Sequence, residues 1–115
     1  MASSLMELNS LAAIVDTSNT NEYEIAPGIF KRTVKVNVTG GGQDYESISG
    51  LFDRDKVLFI IGFSKDNRGS LCLPYYVDNT DRFRFFLEGT RAYVQYGTSF
   101  PQTPGTVYIN VFYTK

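Results

Sequence analysis

The chain has no histidine, no tryptophan and a single cysteine, Cys72. Without histidine it lacks the side chain most often used as general base, metal ligand and physiological-pH switch. A serine nucleophile would then need a lysine or an N-terminal amine, and no Ser-x-x-Lys pair occurs. One cysteine with no histidine cannot furnish the ligand set of a zinc site. Nor can it close an intrachain disulfide, so packing or association has to hold the domain together. In "SLCLPYY" Cys72 alternates with apolar neighbours and reads as a small buried hydrophobe, with a reactive thiol as the alternative. A surplus of basic charge is also missing. Lys and Arg total 11 against 12 Asp and Glu, for a net charge of -1. Binding to nucleic acid is therefore not expected. No run approaches the ~18 apolar residues of a membrane-spanning helix, so membrane insertion is not expected. The opening "MASSLMELNSLAAIVD" has no basic n-region and is interrupted by Glu7 and Asn9, so no secretory signal is read in this chain.

What is present points to strands. The length of 115 residues suits one domain with one core, and aromatic residues make up 15%, all Tyr and Phe. "YEIA" and "IFKRTVKVNV" flank Pro27-Gly28, a turn pair. The second segment alternates: Phe30, Val34, Val36 and Val38 point one way, with Arg32 the exception, and Lys31, Thr33, Lys35 and Asn37 the other. This is the pattern of a half-buried antiparallel strand. "TGGGQD" ends it, because three successive glycines favour no regular element. "YESISGLF" is a weaker strand. "KVLFIIGF" is continuously apolar, the mark of a strand covered on both faces. "KDNRG" should turn it into "SLCLPYYV", where Pro74 argues for an edge or a bulge. "RFRFFLE" and "RAYVQYG" form a tight hairpin around Gly89, and "TVYINVFYTK" supplies a last strand. The expected fold is all-β: an antiparallel, jelly-roll-like β-sandwich of about eight short strands over residues 21–115. Residues 1–20 are expected to form a separate N-terminal arm. Leu5, Leu8, Ala12 and Val15 follow an a/d spacing and read as a short coiled-coil stub, while "LAAIV" reads equally as a first strand.

Few motifs carry chemistry. Asp53 with Asp55, and Asp78 with Asp81, pair carboxylates at close spacing, but neither fits an EF-hand loop, and turn hydrogen bonding accounts for them. No metal site and no cofactor are expected. "TGGGQDYESISG" lacks the Lys-Ser/Thr ending of a phosphate loop. As a binding loop, its Gln43, Asp44 and Tyr45 suit a sugar, as do Asp66, Asn67 and Arg68 of "KDNRG". "NVT" at Asn37 fits a glycosylation sequon but lies inside a strand, where chance explains it.

The hairpin "RFRFFLEGTRAYVQYG" raises a further question, because both of its faces are aromatic. Phe83, Phe85 and Leu87 share the core face. The other face carries Arg82, Arg84, Phe86 and Tyr93, and the last strand adds Tyr108 and Phe112 to whichever sheet it joins. Arg, Tyr and Phe without Lys is the composition of a protein interface. These six residues are the candidates for an oligomer interface. A ligand groove for glycan or peptide, and a well-filled sandwich with a few surface aromatics, are the other readings of the same residues.

The order of "LMELNSLAAIV", then "RFRFFLEGTRAYVQYG", then "GTVYINVFYTK" resembles the trimeric knob domains of bacteriophage tail fibres and tail needles. The resemblance is one of layout and transfers no binding residue. Its implication is a homotrimer at the virion surface, on a tail or fibre tip, adsorbing to a host-surface glycan or protein receptor. The departure is the stub, much shorter than the stalk such knobs carry. The function expected is thus that of a non-enzymatic, homo-oligomeric viral attachment knob, with a trimer favoured. A monomeric carbohydrate-binding module or lectin is the first alternative, and a small carboxylate-dependent hydrolase the second.

Overall fold

The protein is described from a computed structural model, which describes residues 20–65, 71–97 and 105–115. The expected N-terminal stub and the Asp66-Asn67-Arg68 candidates lie outside the described residues. The strands are β1 (Tyr23–Ala26), β2 (Ile29–Asn37), β3 (Gln43–Ser47), β4 (Val57–Lys65), β5 (Leu71–Cys72), β6 (Tyr75–Asp78), β7 (Asp81–Glu88), β8 (Arg91–Tyr96) and β9 (Thr106–Tyr113). They form two antiparallel sheets packed face to face, so the sandwich expected from the turn spacing is the fold. Sheet A has the order β1-β2-β9-β4-β5 and sheet B the order β3-β8-β7-β6.

Local chemistry explains most of the turns. Pro27-Gly28 joins β1 to β2, with Gly28 at φ 77°, a conformation that costs a residue with a Cβ. Gly89, at φ 59°, opens the two-residue turn from Glu88 to Arg91 and sets the register of the β7–β8 hairpin. Asp78 Oδ1 accepts from the Thr80 N–H, the Thr80 hydroxyl and the Asp81 N–H at 2.7–2.9 Å and closes the β6–β7 turn. Those bonds, the Thr80 side chain first, hold the Asp78 carboxyl below its ordinary pKa.

Alternation sorts the side chains of β2 and β9 into two layers. Val34, Val36, Val107, Ile109 and Val111 face sheet B and meet Phe83, Ala92, Val94 and Tyr96 in the core. Burying a chain of that size is worth ~1.5–3 kcal/mol each. β9 is the most enclosed strand, because it inserts between β2 and β4. Gly62 of β4 explains how closely the sheets approach. A Cβ there would lie 2.7 Å from the Tyr108 carbonyl oxygen and 3.0 Å from the ring of Phe85 on β7.

Three expectations need correction. "SLCLPYYV" is not one strand: it divides at Leu73-Pro74 into β5 of sheet A and β6 of sheet B, making nine strands in all. Proline cannot donate to a ladder, and here it marks the change of sheet. "KVLFIIGF" is not covered on both faces, since Phe59 and Ile61 of β4 point out from sheet A and are exposed. Lys31 and Thr33, on the outward row of β2, are buried rather than solvated. Thr33 donates to Asn110 Oδ1 at 2.8 Å across the β2–β9 pair. Lys31 stands opposite Phe112 in register and is not without a partner.

Candidate functional site

The outer face of sheet B is built from β3, β8 and β7 in register. Gln43, Gln95 and Arg84 form one cross-strand row, Tyr45, Tyr93 and Phe86 the next, and Ser47, Arg91 and Glu88 the third. Side chains in such rows stand about 5 Å apart, so the register alone brings them into contact. Phe86 and Tyr93 stack with centroids 5.2 Å apart, and Tyr45 leans on Tyr93 at 6.0 Å. A guanidinium closes each end: Arg84 lies over Phe86 at 4.8 Å and Arg91 over Tyr45 at 4.0 Å. The sequence along the surface is therefore Arg-Phe-Tyr-Tyr-Arg. Each cation–π contact at an exposed site is worth ~0.5–1 kcal/mol.

A hydrogen-bond ladder fixes the neighbouring row. Arg84 Nε donates to Gln95 Oε1 at 2.8 Å, and Gln95 Nε2 donates to Gln43 Oε1 at 2.7 Å. The amides are thereby oriented while keeping lone pairs and protons free for a further partner. A hydrogen bond with Tyr93 pushes the Arg91 pKa above its ordinary value. The face remains open to solvent, with Tyr45 51% exposed. It is a platform of rings with polar groups at its margin.

The residues anticipated from sequence divide across the molecule. Gln43, Tyr45, Arg84, Phe86 and Tyr93 meet on this platform, and Arg82 lies farther along the same face, opposite Tyr76. Tyr108 and Phe112 do not join them, because β9 belongs to sheet A. Phe112 is also only 7% exposed, stacked on Phe59 at 4.4 Å. Asp44 is a structural residue. Its carboxylate accepts from the Thr39 N–H and hydroxyl and from the Tyr96 hydroxyl at 2.7–3.1 Å, pinning the glycine loop. Burial first, then Asp44, pushes the Tyr96 pKa up. Gln95 and Arg91 belong to the platform too. The signal for them was present, because a two-residue turn at Gly89 places Gln95 opposite Arg84.

Other places offer less. A crevice of about 340 Å³ between β2 and the segment after β3 is lined by Arg32, Lys35, Glu46, Ser47 and Leu51 among others. Its cations are engaged, Arg32 on the Thr20 carbonyl and Lys35 over the Tyr108 ring. The carboxylate pairs serve turns: Asp53 accepts from the Asp55 N–H, and Asp81 accepts from the Tyr75 hydroxyl. Burial first, then Asp81, raises the Tyr75 pKa far above the ordinary tyrosine value. Among the described residues no group of three or more His, Cys, Asp or Glu is placed to hold a metal ion. No family model, curated protein or solved structure matches the chain.

Proposed function

We propose that this chain is a non-enzymatic recognition domain that takes a surface glycan on the outer face of sheet B. The observation that supports the reading is the row Arg84-Phe86-Tyr93-Tyr45-Arg91 beside the Arg84-Gln95-Gln43 ladder. Rings offer an apolar bed for the C–H face of a sugar, and the fixed amides and guanidinium bond its hydroxyls. The ladder orients the amides before binding, which lowers the entropic cost. An open face suits an extended chain of sugars better than a single small molecule in a deep pocket. The setting on a virion tip, adsorbing to a host surface, is part of the proposal and rests on the resemblance of the sequence layout to phage tail knobs.

The test is a glycan array probed with multivalent and monovalent protein, followed by titration of the best hit. Tyr93→Ala is expected to weaken binding about tenfold or more, a loss of ~1.4 kcal/mol, while the β spectrum stays intact. An array without hits in both formats sinks the reading, and so does a hit whose affinity ignores Tyr93→Ala and Tyr45→Ala alike.

A further inference from the structure

Charge is spread unevenly over this molecule. The chain as a whole is slightly acidic, with a net charge of -1. In the three cross-strand rows of sheet B and the Arg82–Tyr76 pair beyond them, three guanidinium groups meet one carboxylate, that of Glu88. The contacts of those cations are with neutral groups. Arg84 bonds Gln95 and lies over Phe86, while Arg91 is hydrogen-bonded to Tyr93 and lies over Tyr45. Glu88 stands opposite Arg91 in register, but the Arg91 guanidinium reaches the other way, onto β3. Arg82 Nε has no hydrogen-bond partner among the described residues.

The cations are also spaced. Arg84 lies in the first row and Arg91 in the third, four residue steps apart along the strands, or roughly 13 Å. The three rings fill the interval. That is farther than one sugar ring spans, so anionic groups bonded at the two ends belong to different residues of one chain. The Arg84 Nε–H is committed to Gln95 at 2.8 Å. This bond fixes the plane of the guanidinium and leaves its two Nη groups as a fork for an oxyanion. Arg82, two residues before Arg84 on the same face of β7, continues the line toward exposed Tyr76.

We propose that the glycan taken by this face is acidic: a chain whose sugars carry carboxylate or sulfate groups, two of them held by Arg84 and Arg91 while the sugar between lies on Phe86, Tyr93 and Tyr45. Charge complementarity selects it. A neutral glycan would cover cations without giving them a partner, and desolvating an unpaired charge is costly. All three cations are arginine, whose planar fork meets an oxyanion with two bonds where lysine is a point charge. A nucleic acid is the wrong polyanion. It carries a phosphate at every nucleotide and draws its affinity from many cations, and this face offers three on a chain whose balance is acidic. An acidic ligand presupposes the glycan reading of this face and narrows it to one charge class.

The test sorts the array hits of the full chain by charge and titrates the strongest acidic hit beside its own carboxyl-reduced or desulfated counterpart. The acidic form is expected to bind about tenfold tighter, and the treatment that lowers affinity tells carboxylate from sulfate. Arg84→Gln and, separately, Arg91→Gln should each remove most of that difference, leave the affinity for the neutral counterpart unchanged and keep the β spectrum. Raising the salt concentration should weaken the acidic form far more than the neutral one. Hits confined to neutral glycans overturn the acidic proposal while the glycan reading stands, whereas an array with no hits removes both. An acidic hit that both glutamine variants bind as tightly as the parent also overturns it. So does equal binding of single-stranded DNA through the same arginines, which would make the ligand a phosphate backbone.

Discussion

The two outer faces of this sandwich are tiled with aromatic rings, yet they do opposite things with them. On sheet B three rings in contact are closed at both ends by guanidinium groups and flanked by a hydrogen-bonded row of amides. On sheet A the rings stack on each other: Phe59 on Phe112 at 4.4 Å and Phe63 on Tyr108 at 5.3 Å. Its polar pair, Thr33 and Asn110, is spent internally and buried. The first face keeps its polar groups at a wet surface. The second leaves apolar side chains open to solvent, Phe59 and Ile61 among them. The difference lies in what stands beside the rings, since aromatic content alone does not distinguish the two faces.

The comparison can be broken outright at the point where the sheets touch. Gly62→Ala forces a methyl against the Tyr108 carbonyl and the Phe85 ring. It is expected to cost ~3 kcal/mol, and to lower Tm by roughly 10–20 °C, in a thermal melt followed by circular dichroism. Thr33→Val leaves Asn110 without its buried donor and should cost ~2 kcal/mol, with glycan binding at native temperature unchanged. A retained Tm would show that the pair contributes nothing to sheet A.

A finer test separates the faces by function. Tyr93→Ala should lose about tenfold in glycan affinity, ~1.4 kcal/mol, whereas Ile61→Asp, on the outer face of sheet A, should leave that affinity unchanged. If Ile61→Asp weakens binding as well, the faces are not independent.

The smallest expected effect concerns pH. Glu22 accepts from Tyr113 and pairs with Lys115 at 2.7 Å. The Lys115 bond first, then the Tyr113 bond, holds the Glu22 carboxyl below its ordinary value. A depressed carboxylate adds stability above its unfolded pKa and loses it as pH falls through the folded one. A shallow acid loss of Tm, absent in Glu22→Gln, is the outcome to look for. The Tyr113 hydroxyl is pushed up from 10.0 to about 12, chiefly by burial and then by Glu22. Its contribution is complete below pH 10 and is lost as pH rises through about 12. Phenolate absorbance with a late-titrating component would report it.

Much of the fold was readable because its causes are local. Pro27-Gly28, Gly89 and the alternation of "IFKRTVKVNV" each act within a few residues. The β7–β8 hairpin even carried most of the platform, since its turn fixes its own register. What could not be read was the assignment of strands to sheets. β9 sits between β2 and β4 through pairings that no local signal encodes. Tyr108 and Phe112 therefore looked like companions of Phe86, and alternation gave their side of a strand without giving the sheet. The apolar run of β4 misled for a related reason. A strand greasy on both faces is read as enclosed, and here the outer half of the grease is displayed.

The change of sheet at Leu73-Pro74 has a mechanical consequence. Three residue steps lead from Cys72 in one layer to Tyr75 in the other, and a taut chain covers roughly 10 Å in that distance, the usual gap between stacked sheets. A chain spanning such a gap in three steps has little slack to give. A load applied to one layer would pass through this short tether to the other. Lengthening the tether by a residue would let the two layers slide before they separate.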